Sequence, residues 1–394
     1  MSPAADAAVV GGGPAGCSAA IFLAQRGVNV ILVEKARFPR AKACGEGVMP
    51  SGLGALRRLG VLAEVERAGR RFSGVRFTEP GGRSAAGEFS GGGYGLVLSR
   101  ETLDLILLEK AKTVPGITVL EGRRAVRPLL DARGFLEGFE TAASYPDGAP
   151  GPLEIRARQT VIADGSLSLA AEALGLKRRL PRRRRYGLRT HFAGIAGLGD
   201  KVEVFFIPGG EIYVAPHREP GTALVSLLLE ESALGRFAGR TVAAFEETLL
   251  SCAFLLDRFS GASRLSPVIG LGPLGGRRDS WSGPGWLLAG DAASSVDPIT
   301  GDGIAIALQN GELAAETIFR RLQGRSPEGD GAAYESARRA LLRDKQMRER
   351  LLLTLTSAGP LVRRGVLTVM AASPKLFSLL MSEGFSRTDP PEIG

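Results

Sequence analysis

Near its start the chain reads AAVVGGGPAG over residues 7–16, an apolar run that enters a glycine-rich turn. Gly11, Gly13 and Gly16 have the G-x-G-x-x-G spacing of a dinucleotide-binding turn. The first glycine permits the tight turn, the second lets the backbone approach a pyrophosphate, and the third lets the next helix pack closely on the strand. Small residues at 17–20 then open a helical pattern whose positive amino terminus would face the phosphates.

The sequence that follows predicts a β-α-β unit. The helical pattern ends at Gly27, and residues 28–33 form the apolar run of a buried second strand. Glu34 closes this strand about 20 residues after the turn, where an acidic side chain can bind ribose hydroxyls. The alternative is a glycine turn in an ordinary α/β core, which this context disfavours.

The composition indicates a folded, basic protein with a full hydrophobic core. Of 394 residues, 44% are hydrophobic, and 50 Lys and Arg against 41 Asp and Glu give a net charge of +9. This charge favours anionic partners only weakly. Cys17, Cys44 and Cys252 are far apart and form no metal-ligand pair, so we expect no metal and a reducing cytoplasm. We expect neither a signal peptide nor a membrane span.

A change of hydrophobic period predicts a second domain. Alternation with a period of two predicts an antiparallel sheet with strands at 186–192, 202–207, 211–215 and 223–229. The apolar run 286–291 then returns the chain to the first layer, before a helix that begins near Ile304. The predicted fold is α/β: a Rossmann-type domain, an inserted antiparallel β-sheet substrate domain and a C-terminal helical segment. The predicted boundaries are 1–72, 95–180 and 265–325 for the first domain, 73–94 and 181–264 for the second, and 326–394 for the tail.

Two segments allow more than one interpretation. The basic runs 177–179 and 182–185 are interpreted as a solvated connection rather than a docking patch. Residues 334–383 are helical by periodicity, with a basic first half and a more apolar second half that includes Leu379 and Leu380. We expect this tail to pack against the body of the protein. A monotopic membrane face is the alternative.

A second glycine pattern, Gly270, Gly272 and Gly275, repeats the G-x-G-x-x-G spacing. Pro273 and the next glycine prevent a helix from starting there, so we expect a loop that continues through 277–279. The sequence therefore predicts one dinucleotide site and no second Rossmann site for NADPH.

Three separated elements together resemble a known cofactor framework. They are residues 11–16 with Glu34, the pair Asp164-Gly165, and the segment 290–304, which contains GD and DPITGDGI. This set resembles the FAD-binding domain of para-hydroxybenzoate hydroxylase-like FAD-dependent oxidoreductases. Within that group, FPR at 38–40 and KACGEG at 42–47 most resemble geranylgeranyl reductases and related monooxygenases. The resemblance covers roughly residues 1–325 and is weakest across the antiparallel sheet.

The resemblance implies FAD as the bound cofactor and NAD(P)H as a transient reductant. Glu34 would hold the adenosine ribose, Arg100 the flavin side chain or phosphates, and Asp291 the ribityl hydroxyls. The turn 298–303 needs small residues close to the isoalloxazine, and the next helix would stabilise the anionic reduced flavin with its dipole. The implied FAD contacts are Gly11, Gly13, Pro14, Ala15, Gly16, Glu34, Lys35, Cys44, Gly45, Arg100, Val126, Asp164, Gly165, Gly290, Asp291, Pro298, Gly301, Gly303 and Ile304.

Three departures from related sequences bear on the chemistry. Ala171 stands where the family often has an arginine. Residues 213–216, Tyr-Val-Ala-Pro, replace the Trp-x-Phe-Pro pocket segment of archaeal prenyl reductases. The Trp-x-Trp-x-Ile-Pro motif of flavin-dependent halogenases is absent, which counts against halogenation.

Polar residues near the flavin are the candidates for proton transfer or substrate steering. They are Cys44, Glu46, Arg189, His191, Glu203 and Tyr213. Arg189 and His191 share one strand face with Gly187, and that face looks either into the substrate cleft or into water. Cys44 is expected to pack near the flavin rather than act as a nucleophile, because no histidine lies near it in sequence.

The leading functional hypothesis is an NAD(P)H-driven flavin monooxygenase that hydroxylates or epoxidises a hydrophobic small molecule. The missing aromatic pocket favours this reaction, whereas CGEG at 44–47 favours the alternative, a geranylgeranyl reductase that reduces C=C bonds. A third interpretation is an FAD-bound, non-catalytic protein that docks on a membrane through its tail. Nucleic-acid binding is not expected, because the basic run lacks interleaved aromatic residues.

Overall fold

The computed structural model describes residues 4–148, 151–237, 239–324, 330–373, 375, 377 and 378. The strands are β1 (Ala4–Val10), β2 (Val30–Glu34), β3 (Gly47–Val48), β4 (Arg70–Phe72), β5 (Gly74–Thr78), β6 (Ser84–Glu88), β7 (Gly95–Val97), β8 (Ile117–Glu121), β9 (Arg123–Leu130), β10 (Leu136–Ala143), β11 (Leu153–Ile162), β12 (Arg185–Ala193), β13 (Lys201–Ile207), β14 (Gly210–Pro216), β15 (Ala223–Glu230), β16 (Ser263–Arg264), β17 (Ile269–Leu271), β18 (Gly276–Arg277), β19 (Ser282–Gly283), β20 (Trp286–Leu288) and β21 (Ser294–Ser295). The α-helices are α1 (Pro14–Ala24), α2 (Pro50–Arg58), α3 (Leu62–Ala68), α4 (Arg100–Thr113), α5 (Leu169–Ala173), α6 (Glu231–Leu234), α7 (Thr241–Leu250), α8 (Ala253–Phe259), α9 (Gly303–Leu322), α10 (Asp330–Ser357) and α11 (Pro360–Ala372).

The first sheet is the Rossmann layer that the sequence predicts. Its strand order is β19-β20-β11-β1-β2-β8, and β20, β11, β1, β2 and β8 run parallel. β9 and β10 extend it as an antiparallel pair beside β11. Residues 7–10 of β1 and all of β2 are buried, as expected for parallel strands covered on both faces. The α/β prediction is therefore confirmed.

Close packing between helices explains two of the small residues beside the glycine turn. Gly311 of α9 lies against α1, where an added Cβ would come within 2.3 Å of the Ala15 carbonyl oxygen. Ser18 of α1 donates a hydrogen bond from Oγ to the Leu308 carbonyl at 2.7 Å. The small residues of α1 are therefore required by the contact with α9 as well as by the glycine turn that precedes the helix.

The second sheet confirms the predicted antiparallel strands. Its order is β16-β12-β15-β14-β13-β5-β6, with β17 also paired to β12. β5 and β6, from the predicted insertion 73–94, join this sheet beside β13. Because β17 belongs to the second sheet, the chain leaves that sheet after residue 271 rather than at the predicted boundary of 265. The remaining domain boundaries stay a prediction.

Helices α10 and α11 pack on the body of the protein. Leu352 and Leu367 are buried together with Phe77 and Phe206 of the second sheet, and Phe377 completes this cluster. The predicted packing of the tail is confirmed over this part. Residues 325–329, 374, 376 and 379–394, with Leu379 and Leu380, lie outside the described residues. In the described part of the chain, no helix has both the length and the apolar character needed to cross a bilayer.

Two local predictions were wrong. Arg185, placed in a solvated basic run, is the first residue of β12 and is 3% exposed. Between these two regions α7 and α8 are separate helices, because Cys252 has a non-helical φ of -98° and ψ of 78°. The segment after Gly275 is a short strand, β18, which pairs with β21.

Candidate active site

A cavity that is partly open to solvent lies between the two sheets. The glycine turn at residues 13–15 and the turn 298–304 line one part of it. Apolar side chains from the second sheet line the other part: Val75, Phe77, Val202, Val204, Ala215 and Leu228. The cavity is thus bordered both by the glycine turn of the first domain and by the apolar face of the second sheet.

The glycine turn has the geometry that the sequence predicts. Gly11 has a φ of +106°, and a Cβ added at Gly16 would lie 1.7 Å from the Gly11 carbonyl oxygen. The buried Glu34 carboxylate accepts a 2.6 Å hydrogen bond from the Gly12 N–H and a 2.8 Å bond from the Ala36 N–H. Glu34 therefore fixes the turn itself, and its contact with ribose stays a prediction.

The structure gathers most of the predicted FAD contacts around the cavity. Those that line it are Gly13, Pro14, Ala15, Cys44, Gly45, Arg100, Gly165, Asp291, Pro298, Gly301, Gly303 and Ile304. Gly11, Gly16, Glu34, Lys35, Val126, Asp164 and Gly290 are not among the lining residues. Val126 lies on β9 and is 38% exposed. The FAD contact of each residue stays a prediction.

Charged groups border the cofactor part of the cavity. Arg100 is buried and holds Asp104 through two hydrogen bonds of 2.8 and 2.7 Å. Burial opposes its charge, yet the Asp104 carboxylate raises the pKa of Arg100. Burial lowers the pKa of Lys42, and the nearby Arg100 lowers it further. Asp291 is exposed toward the cavity, so a negative group faces two cations.

One carboxylate oxygen of Asp164 has no hydrogen-bond partner among the described residues. Its Oδ2 accepts a 3.2 Å hydrogen bond from the Ala170 N–H, whereas Oδ1 is buried without a partner among the described residues. Burial raises the pKa of Asp164. A buried acceptor without a partner is costly, which is consistent with a ligand hydroxyl or amide at this place.

Helix α10 fixes the turn that leads into α9. Asp297 caps this turn by accepting the Ile299 N–H at 3.0 Å, and Gly301 has a φ of +71°. The Asp297 N–H donates to Glu349 of α10 at 2.8 Å. The buried Asp302 carboxylate lies 3.3 Å from Arg348, also on α10. The tail thus holds the residues that the resemblance places beside the isoalloxazine.

Glu46 lies at the centre of a buried polar cluster. It is 0% exposed and has a φ of 58°, a conformation that L-residues with side chains rarely adopt. Its Oε2 accepts hydrogen bonds from His191 Nε2 at 2.8 Å and from His217 Nε2 at 3.0 Å. Burial opposes the charge, but these two bonds lower the pKa of Glu46 to about 2. Glu46 is therefore a carboxylate that faces the cavity.

The polar face of β12 looks into the cleft, so its solvated interpretation is wrong. Arg189 is 3% exposed and donates from Nη2 to the Lys42 carbonyl at 2.9 Å. Its Nη1 lies 3.3 Å from His191 Nδ1 and 3.7 Å from Glu46 Oε1. Arg189 and the two histidines thus attach the second sheet to the loop that contains Cys44. Glu46, His191 and His217 also have ligand atoms within 4.8 Å of one another, but the 2.8 Å separation is that of a charge-assisted hydrogen bond.

Tyr213 belongs to a second buried network. Its hydroxyl has no partner among the described residues, and its side chain lines the cavity. Burial raises the pKa of Tyr213 well above its ordinary value. Nearby, Arg185 pairs with Glu211 and, at 2.7 Å, with Asp297. Burial raises the pKa of Glu211 to about 7 although Arg185 lowers it.

Of the remaining candidate residues, Cys44 lines the cavity and Glu203 does not. Cys44 lines the cavity, and its Sγ accepts the Glu46 N–H at 3.3 Å. Glu203 is absent from the lining residues and pairs with Arg258 at 2.7 Å, so it stabilises the second sheet instead of facing a substrate.

Sequence reasoning missed His217, Lys42 and the segment 271–275. His217 directly follows β14, two residues after the predicted strand 211–215, and Lys42 belongs to the quoted KACGEG motif. The segment 271–275, interpreted as a loop without a dinucleotide site, lines the cavity. Its glycines provided a signal, because a glycine-rich loop indicates close approach to a ligand as well as a phosphate turn.

Comparison with known proteins agrees with this geometry. The FAD binding domain family matches residues 4–193. A menaquinone reductase of Mycobacterium tuberculosis (strain ATCC 25618 / H37Rv) is 30% identical over 82% of this chain and 78% of its own length. A digeranylgeranylglycerophospholipid reductase 2 of Methanopyrus kandleri is 30% identical over 85% of both chains. A 6-methylpretetramide 4-monooxygenase of Streptomyces rimosus is 27% identical over 95% of this chain and 91% of its own.

The fold is also similar to that of a solved structure. A geranylgeranyl bacteriochlorophyll reductase-like protein from Thermoplasma acidophilum superimposes with a TM-score of 0.82 at 21% identity, over 96% of this chain and 95% of the other. Together with the glycine turn and the cavity, these similarities identify the cofactor as FAD. The chain belongs to the para-hydroxybenzoate hydroxylase-like FAD-dependent oxidoreductases, the family that includes these menaquinone and prenyl-lipid reductases.

Proposed function

We propose that this FAD-dependent oxidoreductase reduces a carbon–carbon double bond in the prenyl chain of a lipid, with NAD(P)H as the electron donor. Two relatives that are 30% identical are named for menaquinone and for a digeranylgeranyl glycerophospholipid. Both compounds contain prenyl chains, so a shared preference for such a chain is the simplest common property. The proposal places the prenyl reductase ahead of the monooxygenase that the sequence favoured.

The residues around the cavity fit FAD. The glycine turn leaves no room for a Cβ at Gly16, Lys42 and Arg100 supply positive charge, and Asp291 supplies an acceptor for hydroxyls. The Oδ1 atom of Asp164 offers a buried acceptor without a partner among the described residues. When bound, FAD supplies the hydride chemistry. The amino terminus of α9 places backbone N–H groups and a positive dipole end at the same cavity.

The apolar wall of the second sheet is the observation that carries the proposal. Val75, Phe77 and Val204 line the cavity and are backed by Leu367 and Phe377 of the tail. Burial of each five-carbon prenyl unit contributes about 4 kcal/mol, at ~0.8 kcal/mol for each carbon. A long apolar chain therefore gains more from this wall than a small polar aromatic compound does.

A monooxygenase is the second candidate. The relative from Streptomyces rimosus, 27% identical, is named as a monooxygenase and covers 95% of this chain. Tyr213, with a buried hydroxyl that has no partner among the described residues, is suited to orient an oxygen-containing substrate. The non-catalytic interpretation receives no support, because these relatives are named as enzymes.

A lipid surface is the proposed source of such a substrate. Leu361 is 86% exposed, Val362 60% and Val369 57%, all on α11. Arg364 is exposed on the same helix. Apolar groups beside a cation suit the boundary of an anionic bilayer.

One assay separates the two reactions. The FAD-loaded protein is given NADPH and a digeranylgeranyl glycerophospholipid in detergent micelles, with and without oxygen, and products are analysed by mass spectrometry. A product that gains two hydrogen atoms for each NADPH oxidised, and that forms without oxygen, supports the reductase. A product that gains one oxygen atom and forms only in its presence supports the monooxygenase.

A further inference from the structure

The only two histidines of the chain converge on one buried carboxylate oxygen. Both Nε2 atoms donate to Glu46 Oε2, and Glu46 lines the cavity. We propose that His217 supplies the proton of the reaction, passing it through Glu46 to the substrate carbon. This proposal rests on the reductase function proposed above.

The two histidines are not equivalent. Arg189 can only donate a hydrogen bond, and its Nη1 lies 3.3 Å from His191 Nδ1. Ser266 Oγ, 3.1 Å from the same nitrogen, can donate as well as accept, so His191 Nδ1 is assigned as the acceptor and the proton that Glu46 accepts is on Nε2. For His217 Nδ1 no hydrogen-bond partner is found in the described part of the chain, so this nitrogen is free to take up a second proton.

His217 connects the cluster to the surface. Its side chain is 18% exposed, whereas that of Glu46 is 0% exposed. The next residues, 218–220, are exposed. His217 can thus exchange protons with water on one side and with the cavity-lining carboxylate on the other.

Four charged or titratable groups act on the His217 imidazole. The Glu46 carboxylate, 3.0 Å away, favours its protonated form. The His191 ring, 5.1 Å away, adds no charge while it is neutral. Arg189, beside Glu46, opposes the protonated form, and so does Arg70, which donates to the His217 carbonyl at 3.2 Å. The direct contact with Glu46 is the strongest of these interactions.

The proposed step balances in atoms and electrons. The π bond of the alkene breaks and two C–H bonds form. One carbon receives a hydride, with both electrons, from the reduced cofactor, which NAD(P)H regenerates. The other carbon receives the proton held by the Glu46–His217 pair. Water then returns a proton to His217.

The first test needs no substrate and depends on the chain having only two histidines. In the full-length, FAD-loaded protein labelled with ¹⁵N-histidine, only two imidazoles report, and the H217Q variant identifies them. We expect only the His217 signals to change with pH, while His191 keeps the Nε2–H tautomer. If both rings titrate alike, or if His217 stays neutral throughout, the proposal is overturned.

A kinetic test uses H217Q with H191Q as its matched control. Each protein is reduced without oxygen and mixed with the digeranylgeranyl lipid, and oxidation of the flavin is followed. Wild type should slow as the pH rises, whereas H217Q should be ~10²–10⁴-fold slower at low pH and lose this dependence. H191Q should slow the reaction by a smaller factor and keep the dependence. If H217Q does not retain FAD, H217N replaces it.

The outcomes separate the two proposals. If wild type reduces the lipid and H217Q keeps the wild-type pH dependence, His217 supplies no proton and the reductase function stands. If the wild-type flavin is not oxidised by the lipid, the reductase function is wrong, and the role of His217 in it fails as well.

Discussion

Replacement of Glu211 by Gln tests the buried network that joins the second sheet to the turn before α9. Burial raises the pKa of Glu211 to about 7, although Arg185 beside it lowers the value. In an unfolded chain a glutamate titrates near about 4.3. Below both values the carboxyl is protonated in either state, so its contribution to stability is fully present there. Between them the unfolded chain loses the proton while the folded protein keeps it, and stability falls as the pH rises.

The difference between the pKa of Glu211 in the folded protein and in the unfolded chain corresponds to about 3 to 4 kcal/mol in the free energy of unfolding. The amide of E211Q cannot ionise, so this part of the pH dependence should be absent from the variant. Urea unfolding of both proteins at about pH 4 and pH 8 measures the difference. The free energy of unfolding of wild type should fall relative to that of E211Q by this amount.

A matched control variant distinguishes the effect of the Glu211 proton on stability from the effect of removing an ion pair. Glu203 is 7% exposed, lies in the same sheet and pairs with Arg258 at 2.7 Å. The E203Q variant therefore removes a comparable pair that does not border the cavity. If wild type and E211Q differ by the same free energy at both pH values, the coupling of Glu211 to pH is refuted.

Three further predictions concern the cofactor and the apolar wall. G16A should lose bound FAD, measured by absorbance, because its Cβ would lie 1.7 Å from a carbonyl oxygen, whereas G199A, with nothing within 4 Å, should keep it. F77A should raise KM for the prenyl lipid and lower the free energy of unfolding by ~3–5 kcal/mol, because the buried ring is lost. R348A should release FAD about tenfold faster, since Asp302 loses a buried partner; an unchanged off-rate would show that α10 does not hold the turn.

Local sequence patterns were sufficient for the layers of the fold. The apolar run into Gly11 and the acidic end of the second strand predicted the Rossmann unit, because strand and turn depend on neighbouring residues. Alternation over 186–229 predicted the second sheet for the same reason. The pairing of β17 with β12 joins residues far apart in sequence, so local patterns did not predict it.

The buried polar network around Arg185 could not be predicted from local sequence patterns. Arg185 was read as part of an exposed basic run, and only the fold brings Glu211 and Asp297 to it. A run of like charges predicts exposure to solvent, because adjacent charges repel one another. An arginine in such a run can nevertheless be buried when the fold brings a carboxylate into contact with it. No local pattern carries this information.

The sequence by itself determined the cofactor-binding architecture, since glycine spacing and strand periodicity are local requirements of backbone geometry. Only the tertiary structure decided which polar side chains face the cavity. His191 lies on β12, His217 directly follows β14, and Glu46 lies in a distant loop. Their contact arises because the second sheet folds over that loop, and hydrogen bonds depend on distances in space rather than on separation along the chain.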